Sequence, residues 1–421
     1  MVARVIALAL GVALPLAAQP AVAPRIDDDA ARRLFARADV VAAVDALKAR
    51  EAAILDDQIR ISEIPAPPFK EAVRAEAIRQ RFAAAGLSDV RLDAIGNVLG
   101  VRRGKAARPH VVISAHLDTV FPEGTDVKVT RTGSILKGPG IGDDARGLAV
   151  LVAIAHALGK SSIQTAGTVT FAATVGEEGL GDIRGARHLI DTELAGTIDA
   201  FVSIDGVGLD ITNVGVGSRR YKVTFTGPGG HSYGAFGTAN PIHALGRAVA
   251  AVSDLTVPAS PRTTFNVGRI GGGTSVNSIP FDAWFEVDLR SSDAAALAAV
   301  DARFKALVDH AVAAENARWN RPGQVSATLT VVGDRPAGST AEGTALVRAA
   351  RSATQAVGER ASLHDGSTDA NAAMQHGIPA ITIDGGGSGS GAHALDERFD
   401  SIGSWKGTVR AFLLTLLLAG A

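Results

Sequence analysis

Imidazole and carboxylate side chains gather at a few points of this chain: His116 with Asp118, Asp143 with Asp144, Glu177 with Glu178, Asp205 and, far downstream, His393. A nitrogen and oxygen ligand set of this kind suits Zn²⁺, with Co²⁺ or Mn²⁺ as substitutes. Five or six carboxylates brought together with no Lys or Arg beside them would repel one another. Divalent cations are the simplest means of holding them ionised in one place. Each pair alone is a weak signal, because acidic doublets are usually solvated and an isolated H-x-D is more often a core histidine beside a surface acid. Position along the chain is what gives the set weight.

Val111 to Ile113 is a continuous β-branched run bounded upstream by Arg108 and Pro109, as a buried strand of a mostly parallel sheet requires. His116 and Asp118 follow at its end, and the period of two in extended backbone puts both on one side. Thr168 to Val175 is a second buried strand and ends at Glu177-Glu178. Ala200 to Ile204 is a third and ends at Asp205. Asp144 to Leu158 has helical apolar spacing. The C-terminal ends of strands are where open α/β sheets place their chemistry.

Upstream, Asp27 to Phe82 is expected to be helical with a break at Ile64 to Pro68, and Arg91 to Val101 to be extended with a turn at Gly96-Asn97. From about Gly217 the pattern changes. Strands are expected at Arg219 to Thr226, Thr263 to Ile270, Ala283 to Arg290 and Gln324 to Val332. Helices are expected at Pro241 to Leu255 and Ala294 to Ala314. That order, βαββαβ, is the ferredoxin-like two-layer unit. Ala341 to Val357 is helical again, and Ala380 to Ile383 returns to the apolar-strand style. The expected fold is therefore α/β: a mostly parallel-sheet domain, 27–216 and 333–421, interrupted by an inserted ferredoxin-like domain, 217–332. Gly385 to Gly391 has a linker composition, but its place directly before His393 argues for a shaped loop.

Lys+Arg 42 against Asp+Glu 43 leaves no net bias, so charge gives no case for nucleic acid or an anionic membrane surface as partner. Residues 1–18 have the build of a signal peptide, with Arg4 before the apolar Val5 to Leu16 run and small residues after it. Cleavage is expected after Ala18 and no later than Ala23, where Pro24 would become the first mature residue. The apolar run is shorter than the ~20 residues a membrane span needs, so no stable anchor is expected. Phe412 to Ala421 is also too short and fits a last helix on the core. The expected location is secreted or periplasmic. Cys 0 excludes a thiolate metal site and a cysteine nucleophile.

The segments H-L-D-T-V, G-P-G-I-G-D-D-A-R-G, G-E-E-G-L-G and G-A-H-A-L-D-E resemble those of the dinuclear zinc exopeptidases that include glutamate carboxypeptidase, peptidase T, aminoacylase and acetylornithine deacetylase. The likeness runs over nearly the whole chain after the leader, with the motifs in the family's order. It implies two Zn²⁺ per subunit bridged by Asp143. One site would be completed by His116 and Asp205, the other by Glu178 and His393. Asp118 would orient His116 through its second ring nitrogen. Glu177 would act as general base on a metal-bound hydroxide or its parent water, since adjacent residues do not easily face one ion together.

Within the insert, G-P-G-G-H-S (Gly227 to Ser232) resembles the family's lid motif. By that resemblance His231 would stabilise the developing oxyanion of a neighbouring subunit's site, making the protein a homodimer. T-S-V-N-S-I-P would supply Asn277, and V-D-L-R would supply Arg290, whose fork suits a substrate carboxylate. G-S-T-D-A-N (Gly366 to Asn371) resembles a loop near the same cleft, where Asp369 either takes part directly or caps a helix. After the bridging Asp143, the Asp144-Ala145-Arg146-Gly147 sequence departs from the Lys-Gly of many members and looks more like the peptidase T branch. The implied activity is hydrolysis of short peptides, as a di- or tripeptide aminopeptidase. A carboxypeptidase, an N-acyl amino acid deacylase and an inactive peptide-binding homologue are the alternatives. The intact Glu177 argues against the last. The other histidines (His110, His156, His188, His243, His310, His364, His376) have no matching partners and are expected to be structural or on the surface.

Overall fold

A computed structural model describes residues 28–421; the proposed leader lies outside them. The chain folds as a nine-stranded mixed sheet covered by helices, with a second, smaller α/β unit inserted. At the centre of the large sheet four strands run parallel. In spatial order they are Thr168–Thr174, His110–His116, Ala200–Ile204 and Ala380–Ile383. Each is a short apolar run buried on both faces, which is what a central parallel strand requires. The Ser88–Leu92/Val98–Arg102 hairpin adds to one side, antiparallel.

The N-terminal helical stretch is four helices, Asp28–Phe35, Ala38–Ala49, Glu51–Ser62 and Ala72–Ala85, with the expected break across Pro65 to Pro68. Helix Ala145–Lys160 is buried along almost its whole length against the sheet. The C-terminal helix Trp405–Ala419 is buried from Gly407 onward, which accounts for its apolar sequence. No helix among the described residues is long and apolar enough to cross a membrane.

The inserted unit has its own apolar core, built around Phe225, Phe285 and Phe304. Its antiparallel sheet has the order Thr263–Gly272, Asp282–Ser291, Gly217–Thr226, Ser326–Arg335. Helices Pro241–Ser253 and Ala294–Arg318 cover one face, capped by the side chains of Asn240 and Asp293. The last strand, expected to stop at Val332, continues to Arg335. Gly338–Ser339 then pairs in the large sheet, so the chain passes from one sheet to the other within three residues.

A further small sheet has no counterpart in the sequence reading. Its strands are Ser388–Ser390, Arg398–Asp400, Ile135–Lys137 and Thr130–Thr132. Three-residue strands carry no readable period. This sheet holds the loop before Asp143 beside the loop of His393, and Ser388–Ser390 belongs to the glycine-rich stretch that precedes His393.

Candidate dinuclear metal centre

Three neighbouring parallel strands deliver their ends to one place. His116 ends its strand, Glu177 and Glu178 follow Thr168–Thr174, and Asp205 follows Ala200–Ile204. Asp143 enters from the loop before helix Ala145–Lys160. Its carboxylate is shared: Oδ1 lies 2.9 Å from His116 Nε2, and Oδ2 lies 3.0 Å from His393 Nε2. His393 Nε2 is also 3.1 Å from Glu178 Oε1, and His116 Nε2 is 4.0 Å from Asp205 Oδ1. Two ligand groups result, His116–Asp143–Asp205 and Asp143–Glu178–His393, each with its donor atoms within 4.8 Å of one another. Asp143 belongs to both.

The charges of this donor set do not balance without a cation. Burial, and then Asp143, push Asp205 well above the ordinary carboxylate value. Burial, Asp143 and Glu177 push Glu178 up to about 7. Asp143 is lowered, because the hydrogen bonds of His116 and His393 outweigh its burial. His393 rises to about 9, chiefly through its hydrogen bond to Asp143. Dications would relieve this repulsion and leave every carboxylate ionised. The donors fit them, because His116 Nδ1 faces the Asp118 main-chain oxygen at 3.1 Å, which leaves Nε2 as the free ligand atom.

Asp118 also has a second task. Its carboxylate accepts the main-chain N–H groups of Glu177 and Glu178, both at 2.9 Å, and so fixes the loop that presents them. Asp144 does not face the ligand groups. It caps helix Ala145–Lys160 by accepting the Gly147 N–H at 3.0 Å, and its other oxygen takes the His116 N–H at 3.0 Å. Gly147 is required there, since a Cβ would lie 2.2 Å from Asp144 Oδ1 and 2.3 Å from the Ile204 oxygen. Arg146, also part of the departure from Lys-Gly, is fully buried and donates to the Gly385 and Ser404 oxygens.

Three arginines stand over the carboxylates; Arg290 was expected at the site as a substrate contact, and Arg220 and Arg335 were not. Arg220, Arg290 and Arg335 line a cavity of about 440 Å³ together with Asp143, Glu177 and His393. Each comes from a different strand of the inserted sheet, so linear proximity could not reveal Arg220 and Arg335. Arg220 and Arg290 share Asp288 as ion-pair partner. Arg335 pairs with Glu177, its Nη1 donating to Oε1 at 2.8 Å.

Of the residues expected to touch substrate, Arg290 lines this cavity. His231 and Asn277 do not join it. They sit together on a ribbon formed by Gly230–His231 and Ser278–Ile279, where the Ser232 N–H donates to the Asn277 oxygen. The His231 ring is exposed and accepts weakly from the Tyr233 and Gly234 N–H groups, each at 3.3 Å. Asp369 is buried. It accepts from Thr174 Oγ1 at 2.5 Å and makes no side-chain cap to the helix that follows it.

Sequence reasoning missed Glu397, which lies within the G-A-H-A-L-D-E segment but was given no role. It accepts the N–H groups of Gly140, Gly142 and Asp143. Two further His/carboxylate groups occur among the described residues: His116–Glu177–Glu178, which overlaps the two that share Asp143, and Asp93–His188–Glu193, which lies outside the centre. Asp93 already accepts three main-chain N–H groups and the Asn97 amide, and Glu193 pairs with Arg91.

The sequence of residues 112–417 matches the family model described as Peptidase family M20/M25/M40. The uncharacterized protein YqjE of Bacillus subtilis is 24% identical over 347 residues, covering 79% of this chain and 90% of that protein. Among solved structures, the aminopeptidase PepT of Bacillus cereus superposes with a TM-score of 0.71 at 21% identity, over 88% of this chain and 99% of that one. The YXEP protein of Bacillus subtilis, described as a dinuclear metal binding peptidase, superposes with a TM-score of 0.66 at 18% identity, over 88% and 99%. With nearly three quarters of its length inside the family match and its His/carboxylate groups at the C-terminal ends of the central strands, this chain belongs to peptidase family M20/M25/M40.

Proposed function

We propose that the protein is a metal-dependent exopeptidase of short peptides, acting as a di- or tripeptide aminopeptidase. The observation that carries this reading is the shared Asp143 carboxylate, one oxygen facing His116 and the other His393, with Glu177 beside both groups. The structural likeness to an aminopeptidase PepT and to a dinuclear metal binding peptidase supports it.

His116, Asp143 and Asp205 would hold one ion and Asp143, Glu178 and His393 the other, with Zn²⁺ favoured and Co²⁺ or Mn²⁺ able to replace it. When bound, such ions polarise a carbonyl and lower the pKa of water. Glu177 accepts the proton of the attacking water and delivers it to the leaving amine. Asp118 keeps Glu177 and Glu178 in place through their main-chain N–H groups. Arg290 offers its fork to a substrate carboxylate.

The inserted unit, 217–332 by the sequence reading, serves in this proposal as lid and dimerisation domain. His231 of one subunit would reach the site of the other and stabilise the developing oxyanion. Exposed Tyr233, Phe236, Val276 and Phe281 near His231 form an apolar surface suited to being covered. Residues 1–18 complete the proposal as an export signal to the periplasm or exterior.

One observation favours a second reading as a carboxypeptidase or N-acyl amino acid deacylase. Arg290 lines the same cavity as Glu177, so a carboxylate held there would lie close to the scissile amide. Short peptides blocked at one end or the other decide between them. The aminopeptidase reading expects N-acylation to abolish cleavage and C-terminal amidation, which removes only the Arg290 contact, to slow it. The reverse preference overturns it.

A further inference from the structure

The last strand of the insert, Ser326–Arg335, ends against the segment that carries Glu177. The Asp334 N–H donates to both oxygens of Asp182, at 3.0 and 3.1 Å, and Arg187 donates to the Asp334 main-chain oxygen. Arg335 then turns inward. Its Nη1 donates to Glu177 Oε1 at 2.8 Å and its Nη2 to the main-chain oxygen of the same residue. Both side chains are buried, at 5% exposure for Arg335 and 6% for Glu177. Pro336 disfavours a helical conformation at Arg335 and keeps the strand extended to its end. Asp182 and Ile183, between the two contacts, hold φ values of 54° and 53°. The left-handed region is an outlier for a β-branched residue, and such backbone persists only when its surroundings enforce it.

Two features separate this pair from an ordinary structural ion pair. The arginine fork holds Glu177 at two points, Oε1 and the main-chain oxygen, so the Glu177 carboxylate is fixed relative to its own backbone, while Nη1 also donates to the Ser367 main-chain oxygen at 3.4 Å and Ser367 Oγ at 3.2 Å, which anchors the guanidinium itself. The Arg335 side chain also lines the cavity over the ligand groups instead of lying behind them. Glu177 Oε2 makes no hydrogen bond among the described residues, and a Glu177 oxygen lies within 4.8 Å of His116 and Glu178 donor atoms.

We infer that Arg335 is a positioning residue for the general base: its fork holds one oxygen of Glu177, presents the other to the substrate water, and ties that geometry to the seating of the insert. This rests on the proposed role of Glu177. An unanchored carboxylate would sample other rotamers, and a misplacement of about 1 Å can lower turnover about 10²-fold.

The test compares wild-type protein with Arg335→Ala, Arg335→Met and Arg335→Lys, all reconstituted with Zn²⁺ and assayed for metal content. Arg335→Ala should keep its metals and its KM and lose about 10²-fold in kcat. Added guanidinium chloride at millimolar concentrations should restore part of that loss in Arg335→Ala, which leaves room for it, and none in Arg335→Met. Wild-type kcat in Arg335→Ala, a raised KM at unchanged kcat, or no rescue by guanidinium overturns the assignment. If Arg335→Ala does not fold, Arg335→Lys decides: lowered kcat at constant KM supports the assignment, and wild-type kinetics overturn it. A wild-type protein that cleaves no short peptide overturns the functional reading instead. The pairing is then read by hydrogen exchange of the metal-free protein. Arg335→Ala must speed exchange across Glu177 to Arg187, and unchanged exchange overturns it.

Discussion

The Glu397 carboxylate accepts the main-chain N–H of Asp143 at 3.0 Å, from 254 residues away along the chain. With Gly140 and Gly142 also donating to it, one buried side chain holds the loop of Asp143, the residue common to both candidate ligand groups. Glu397 lies four residues beyond His393, so the same carboxylate sets the distance between two of the groups that face each other. Asp118 does the corresponding work for Glu177 and Glu178. The candidate centre is thus built from residues whose loops are held by further carboxylates, Glu397 and Asp118.

Glu397→Gln is expected to weaken metal binding. The amide keeps one acceptor oxygen but turns an NH₂ toward an N–H donor, so part of the loop is released. Partners of this kind typically change metal affinity by about 10–100-fold. Competition against a coloured chelator measures it. Unchanged affinity for both ions would show that the Asp143 loop needs no such support.

Metal-free protein is expected to lose stability as pH rises. Burial pushes Glu178, Asp369 and Glu397 up to about 7 and Asp384 up to about 6. A carboxyl raised in the folded state contributes stability that is present below its unfolded value and lost as pH climbs through the folded one. For Glu178 and Glu397 that window runs from 4.5 to about 7. His393 is raised from 6.5 to about 9 by Asp143, and its contribution is likewise lost on rising through that range. These signs agree and outnumber the two that oppose them, since burial lowers His110 and His156 below the ordinary 6.5 and their contributions grow as pH rises toward that value. Melting temperature measured without metal should fall between pH 5 and pH 8, and added Zn²⁺ should flatten the trend near neutral pH by holding Glu178 ionised. A metal-free melting temperature that rises over this window would contradict the charge distribution.

Much of this architecture was legible in the sequence for a physical reason. Central parallel strands are buried on both faces and appear as unbroken apolar runs, so their ends, and the His and acidic residues placed there, stand out. The insert was legible because its first strand alternates and its strands and helices follow the βαββαβ order. What was not legible depends on contacts between distant segments. Arg335 lies 158 residues from Glu177 along the chain. Its strand looked finished at Val332 because Gly333 and Asp334 are poor strand formers. The three-residue strands around Ile135 and Phe399 are too short for any periodicity. The Asp144 cap could have been found from the sequence, since an Asp directly before a helical apolar pattern is a recognised start signal.

Glu177→Gln is expected to keep both metals and lose most turnover. The side chain holds no place in either group that shares Asp143, and a positioned general base contributes about 10²–10⁴-fold. Elemental analysis and kcat are measured on the same preparation. Near-normal turnover removes Glu177 from its role. Loss of metal instead would mean that the roles of Glu177 and Glu178 are exchanged.

Chelation should abolish hydrolysis and added Zn²⁺, Co²⁺ or Mn²⁺ should restore it, in the order set by how each ion suits nitrogen and oxygen donors. Full activity in protein shown by elemental analysis to be metal-free would remove both ligand groups from the chemistry.

The placement of His231 sets the last prediction. Its ring is exposed on a two-residue ribbon beside Asn277, and no contact among the described residues joins it to the cavity that contains Glu177. In this arrangement the residue serves the reaction by reaching the site of another subunit. Most assemblies of identical chains are two-fold, so each would supply its His231 to the other. Mixing Glu177→Gln subunits with His231→Ala subunits then makes a testable species. Each parent dimer has two defective sites, whereas the mixed dimer has one site with both residues intact. Random pairing makes about half the dimers mixed, each with one good site of two, so recovered activity has a ceiling of about a quarter of wild type. Subunit exchange is checked separately by energy transfer between labelled chains. A protein that is fully active as a monomer, or a mixture that exchanges subunits and never exceeds its parents, places His231 in its own subunit's chemistry or in none.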